Sequence, residues 1–173
     1  TLITGCRVWR SADGENWAQV NQNGFGNDQN TDATTLAVFG DHLYVATENG
    51  HGSFAGTGTQ VWRTDGNTPD PGNPDLLLWE KVNPADGFGA GKALENTVVM
   101  TAYNGRLFAG TLSLVLRAEL WSYGGSEWAE EAFPRGVLGS ATRKFYYHSA
   151  TAMLNSLYVG TEDAILPGGR LLS

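Results

Sequence analysis

The chain has one cysteine among its 173 residues, Cys6, so no disulfide can close within it and cysteine usage leaves the redox compartment open. Cys6 is expected to be a small half-buried strand residue. Charge is scarce too, at 17% of residues, and its balance is acidic, with a formal net charge of -7. Nothing resembles a Lys/Arg stripe that would release counterions from a phosphate backbone, which argues against a nucleic-acid binder. Basic ligands and metal ions remain electrostatically allowed. No apolar run approaches the roughly 20 residues of a membrane span. No stretch of these residues reads as a secretory leader, and a chain that starts at Thr1 without a methionine is expected to be a mature or excised piece.

What the chain does have is glycine, 23 residues, and aromatic residues at 11%. Both suit many short strands joined by tight turns, and long helices are not expected. The stretch Cys6 to Asn21 reads as a β-hairpin. Val8-Trp9 ends one strand, Ser11-Ala12-Asp13-Gly14 supplies turn residues, and Trp17 opens the return strand. The same order recurs at Val61-Trp62-Arg63-Thr64-Asp65-Gly66, leading to Trp79 after the insertion 67–75. It recurs again at Leu120-Trp121-Ser122-Tyr123-Gly124-Gly125, leading to Trp128.

A second repeat interleaves with the first. Residues 36–47, 100–111 and 150–161 each read as strand, two-residue turn and strand ending in a small residue and threonine, with turns at Gly40-Asp41, Asn104-Gly105 and Asn155-Ser156. Together the two repeats make a four-stranded unit. Four antiparallel strands at a period of about 40 to 50 residues are the signature of a β-propeller blade. The expected fold is therefore all-β, a propeller segment with a partial blade at 1–25, complete blades at 33–88 and 96–140, and a partial blade at 148–173. Val8, Leu43, Val45, Val61, Leu107, Leu157 and Val159 are expected to fill the cores between blades, with many of the tryptophans. Rings close with typically four to eight blades. The missing blades are expected from a longer chain or from other subunits.

Ser11-Ala12-Asp13-Gly14-Glu15-Asn16-Trp17 resembles the Asp-box, or BNR repeat, of sialidase-like propellers, whose pattern is Ser-x-Asp-x-Gly-x-x-Trp; here the box is one residue shorter. The second copy keeps Thr64, Asp65, Gly66 and Trp79, and the third has Ser122 and no aspartate. The resemblance implies a structural turn in which the aspartate bonds nearby backbone amides and the tryptophan packs into the fold. It also implies an extracellular or cell-envelope location. It does not carry over an activity, since such boxes occur in hydrolases, lectin-like modules and structural repeats alike. A sialidase needs an arginine triad and a Tyr/Glu pair, and the arginines here are scattered over different strand positions.

Candidate site residues are few. Glu48 and Glu162 each follow a strand-ending threonine, and Asp163 adjoins the second, which puts them on one rim; solvated loop carboxylates are the simpler reading. His148 and Tyr147 enter the innermost strand of the last blade and are candidates for contact with a ligand in the channel. Asn27, Asp28, Asn30 and Asp32 are oxygen donors of the kind calcium takes. Gly24-Phe25-Gly26, echoed at Gly87-Phe88-Gly89, is expected to plug its ring between blades. The reading these features favour is a non-catalytic binding or scaffold module with a glycan or protein ligand, calcium being the one cofactor allowed. The alternative is part of a glycoside hydrolase or lyase whose catalytic residues lie partly elsewhere.

Overall fold

The structure is a computed structural model that describes residues 5–50, 56–91, 96–112, 118–131 and 144–164, with side chains described for 147–160 of the last segment. The strands are β1 (Trp9–Arg10), β2 (Ala18–Gln19), β3 (Asn30–Phe39), β4 (His42–Asn49), β5 (Val61–Thr64), β6 (Pro69–Asp70), β7 (Asn73–Leu77), β8 (Glu80–Lys81), β9 (Asn96–Tyr103), β10 (Arg106–Leu112), β11 (Leu120–Tyr123), β12 (Trp128–Glu130), β13 (Lys144–Met153) and β14 (Ser156–Ala164). Short 3-10 turns at Asn23–Gly26 and Asp86–Gly89 follow β2 and β8. The described residues are otherwise all-β and antiparallel.

Two four-stranded meanders emerge from the pairing. One runs β3-β4-β5-β8 and the other β9-β10-β11-β12; they meet at a single backbone pair, Glu48 with Asn96. The hairpins β1-β2 and β13-β14 stand apart in pairing, and the insertion folds as a small hairpin of its own, β6-β7.

Packing follows from strand alternation. Tyr44 and Ala46 face one side of β4 and Val45 the other, so one strand feeds two cores. Val45 joins Val8, Val20 and Leu77 between the first hairpin and the first meander. Tyr44, Ala46 and Val61 meet Met100, Leu107, Ala109 and Tyr123 between the two meanders. Val99, Ala118 and Leu120 meet Tyr147 between the second meander and the last hairpin. Of the expected core residues, Val8, Val45, Val61 and Leu107 are buried, while Leu43, Leu157 and Val159 are half-buried.

Three local devices recur at equivalent positions. Buried Asn21 and Asn83 each accept a backbone N–H from across the hairpin, Val8 just before β1 at 2.6 Å and Val61 on β5 at 2.8 Å, and each donates to carbonyls on both sides. Thr47 and Thr111, both fully buried, lock the end of their strand to Gln60 and Glu119 through backbone and hydroxyl bonds. Finally, β3, β9 and β13 each carry a bulge at the same point, with Thr34, Val98 and His148 as the extra residue.

The phenylalanine loops act as wedges. Phe25 stacks on Trp62 with ring centroids 5.0 Å apart and meets Trp79 edge-on at 5.2 Å; Phe88 does the same with Trp121 and Trp128, both at 5.0 Å. Each ring therefore leaves its own unit and enters the tryptophan pair of the next. Both phenylalanines sit at positive φ, 56° and 53°, a conformation that costs a bulky residue about 1–3 kcal/mol. Aromatic burial offsets that strain.

Two boundaries differ from expectation. The turn between β13 and β14 is Leu154-Asn155, one residue earlier than Asn155-Ser156, because Met153 pairs with Ser156 and both intervening residues take positive φ. The return strand of the first hairpin begins at Ala18, because Trp17 turns its indole N–H back to Gly14 O at 3.2 Å.

Candidate functional site

The insertion builds a site by docking back on the first hairpin. Leu77 N–H and the Trp79 indole N–H both donate to Val20 O, at 2.9 Å each, which fixes β7 beside β2. Between them opens a cleft of about 560 Å³ lined by Gln19, Gln22, Asn23, Gly26, Asp28, Asn73 and Leu76. Its polar groups are four side-chain amides and one carboxylate, and Leu76 is the one large apolar side chain in its lining. Gln19 Nε2 donates to Asn23 Oδ1 at 2.8 Å and to Asn21 O at 2.7 Å, so these two amides are held in place by the fold. Gln22 and Asp28 are exposed. Such a surface offers paired donors and acceptors to a hydroxyl-rich ligand.

The loop that holds Asp28 is anchored by Asn30. This side chain is fully buried; its Nδ2 donates to Gly24 O at 2.8 Å and Gln60 Oε1 at 2.7 Å, and its Oδ1 accepts from Thr47 Oγ1 and Asn49 Nδ2. Asn30 is thus spent on the fold. Asn27 Oδ1 accepts the Gln29 N–H at 3.0 Å, Asp28 Oδ1 accepts from the Gln29 amide at 3.2 Å, and Asp32 is exposed on β3. Of the four expected calcium donors, only Asp28 therefore lies on the cleft. Among the described residues, no group of three or more His, Cys, Asp or Glu side chains is placed to hold a metal ion.

On the rim where the strands β4 and β9 meet, Glu48 is half-buried and accepts from Asn96 Nδ2 at 3.0 Å. Its role there is a clasp between the two meanders. Glu162 and Asp163 take the matching places on β14, paired in backbone register with Tyr146 and Phe145; their side chains lie outside the described ones. One full meander separates Glu162 from Glu48. Tyr147 is 1% exposed and fills the third core, so its ring faces protein. His148, the bulged residue, is exposed beside it.

Two turn carboxylates share one geometry. Asp13 Oδ1 accepts from the Glu15 and Asn16 N–H groups at 2.9 and 2.8 Å, and Asp65 Oδ1 accepts from Asn67 and Thr68 at the same distances. The Thr68 hydroxyl and these amides hold Asp65 at about 2, and the Asn16 amides with Glu15 N–H hold Asp13 well below the usual carboxylate range. These aspartates organise turns. Burial pushes the Asp86 carboxyl up, but Lys81, Thr57 and Gln60 together outweigh it and keep it ionised, at 2.8, 2.6 and 3.1 Å. Burial raises the Cys6 thiol to about 11, which makes it an inert packing group.

The cleft amides Gln19, Gln22, Asn23 and Asn73 were not among the candidates that sequence reasoning singled out. A signal existed: residues 19–30 hold seven side-chain amides in twelve positions. No protein-family model, curated protein or solved structure matches this chain.

Proposed function

We propose that the chain is a β-propeller binding module of the Asp-box kind, without catalysis of its own, whose ligand is a glycan held in the amide-lined cleft between the first loop and the insertion hairpin. The propeller reading is supported by two four-stranded meanders stacked through apolar cores, with an aromatic wedge passed twice among the described residues, by Phe25 and by Phe88. The Asp-box reading is supported by the matched hydrogen bonds of Asp13 and Asp65. Remaining ring units come from a longer chain or from other subunits, and the setting proposed is extracellular or the cell envelope.

The observation that carries the ligand class is the lining itself. Four amides, one carboxylate and one leucine offer hydrogen bonds in both directions over a small apolar contact, which suits sugar hydroxyls and the C–H face of a ring. On an array of immobilised glycans the chain should bind a limited set. Gln22→Ala with Asn73→Ala should weaken that binding about tenfold, the effect of roughly one to two lost hydrogen bonds. Both residues are exposed, so the melting temperature should stay within about 2 °C. No bound glycan, or binding untouched by the double variant, sinks the reading.

A further inference from the structure

Both segments that wall the amide-lined cleft come from a stretch of the chain with almost no cation. Residues 11–80 carry ten Asp or Glu and a single Lys or Arg, Arg63, whereas residues 81–173 carry eight of each sign. Arg63 is matched within the fold: its Nε and Nη2 donate to Glu80 Oε2 at 2.9 and 2.7 Å. No Lys, Arg or His lines the cleft, and its one ionisable side chain is Asp28. Two more carboxylates bracket the wall built by the insertion. Asp70 Oδ1 accepts the Asn73 N–H at 3.1 Å, and the Asp75 N–H donates to Asn73 Oδ1 at 3.2 Å. A cleft in such surroundings draws in cations and repels anions.

The hydrogen bonds the fold has already made decide what is left for a ligand. Gln19 spends both amide N–H groups, on Asn21 O and Asn23 Oδ1, which leaves its Oε1 as an acceptor. Gln22 Oε1 stands beside Gly26, within 3.4 Å of where a Cβ on that glycine would lie. The Asp28 carboxylate accepts one bond, from the Gln29 amide at 3.2 Å, and has capacity for more. Residues 19–28 therefore present three acceptors, one of them charged. The amide N–H groups of Asn23 and Asn73 remain as donors for hydroxyls, since the Oδ1 of each already accepts a bond. An ammonium group carries three N–H donors and no acceptor, which is the complement of that wall.

We propose that the saccharide bound in this cleft is a cationic one, built of hexosamine units with free amines, and that Asp28 pairs with its ammonium group. This rests on the glycan reading above and adds the charge class of the ligand. Neutral sugars leave the carboxylate without a charged partner. Sialylated, uronic or sulfated sugars bring an anion to a cleft with no cation in its lining.

The test compares a trimer of β-1,4-linked glucosamine with its N-acetylated counterpart by titration calorimetry, at mildly acidic pH and low salt, where the sugar amines are protonated. The free-amine trimer should bind about tenfold more tightly, and the preference should shrink as salt is added. Asp28→Asn should weaken the free-amine trimer about fivefold, the effect of one exposed ion pair, and leave the N-acetylated one unchanged. Glu127→Gln removes the same charge from an exposed turn in the second meander and should change neither. Equal binding of the two trimers, or no binding of the free-amine trimer, overturns the proposal. So does an Asp28→Asn effect no larger than that of Glu127→Gln. Spermidine, which carries as many ammonium groups without a sugar ring, should bind more weakly than the trimer; equal affinity overturns the proposal by showing attraction to charge alone. If the N-acetylated trimer binds as well and Gln22→Ala with Asn73→Ala weakens both, the glycan reading stands while the cationic one falls.

Discussion

Phe88→Ala should destabilise the protein by about 3 kcal/mol, the low end of the loss usual for an aromatic ring in a core, because Phe88 is half-buried. The ring stacks on Trp121 at an interplanar angle of 12° and meets Trp128 edge-on. Truncation leaves a cavity between two indoles that strand pairing holds in place, so collapse recovers little. In a chain of this size that corresponds to a fall in melting temperature of roughly 10 °C, measured by circular dichroism or calorimetry. One term acts the other way. Alanine at φ 53° carries less strain than phenylalanine, but that relief is smaller than the lost packing.

The second large effect is expected at Asn30. Its side chain makes four hydrogen bonds in a fully buried site, linking the Gly24 loop, β4 and Gln60. Asn30→Ala strands the Gln60 amide oxygen and the Asn49 amide, while the Gly24 carbonyl keeps the Asn27 N–H and Thr47 keeps a second acceptor in Gln60 O. Each unmade buried bond costs about 1–3 kcal/mol. Allowing for relaxation and an entering water, the total expected is about 4 kcal/mol, read from urea unfolding with an unchanged m-value. Asn30→Asp should be no better. It keeps the acceptor, loses both donor bonds and buries a charge.

Much of the unit was legible because its signals are local. Asn104-Gly105 at φ 47° and 71° is the hairpin turn its letters announce, and Gly-Phe-Gly before a strand marked the wedge. The misplaced turn at Leu154 shows the limit of that reading. Leucine at φ 46° is not a turn residue, and only the pairing of Met153 with Ser156 demands it there. Tyr147 and His148 show another limit. Both read as candidates for a ligand in the channel, but Tyr147 fills the third core while His148, the bulged residue, is exposed, and a bulge has no letter code.

The candidate site was less legible than the fold. Asn23 and Asn73 lie 50 positions apart, and what joins them is a single carbonyl, Val20 O, taking bonds from Leu77 and Trp79. Nothing in either segment names the other. Asn30 misled for a related reason: among Asn27, Asp28 and Asp32 it reads as another loop oxygen donor, and only burial separates the anchor from the surface. Asn21 and Asn83, two asparagines that each follow a valine, serve as backbone clamps that no local signal marks.

The central claim is that, among the described residues, the first unit hands Phe25 to the Trp62/Trp79 pair and the second hands Phe88 to the Trp121/Trp128 pair. A double-mutant cycle tests it directly. Phe88→Ala crossed with Trp121→Leu should show a coupling of about 1 kcal/mol or more, since stacked aromatic pairs contribute roughly 0.5–1.5 kcal/mol beyond their buried area. Phe25→Ala crossed with Trp121→Leu, which joins a wedge to the wrong pair, should be additive within about 0.5 kcal/mol. Additivity in the first cycle, or equal coupling in both, would contradict the account.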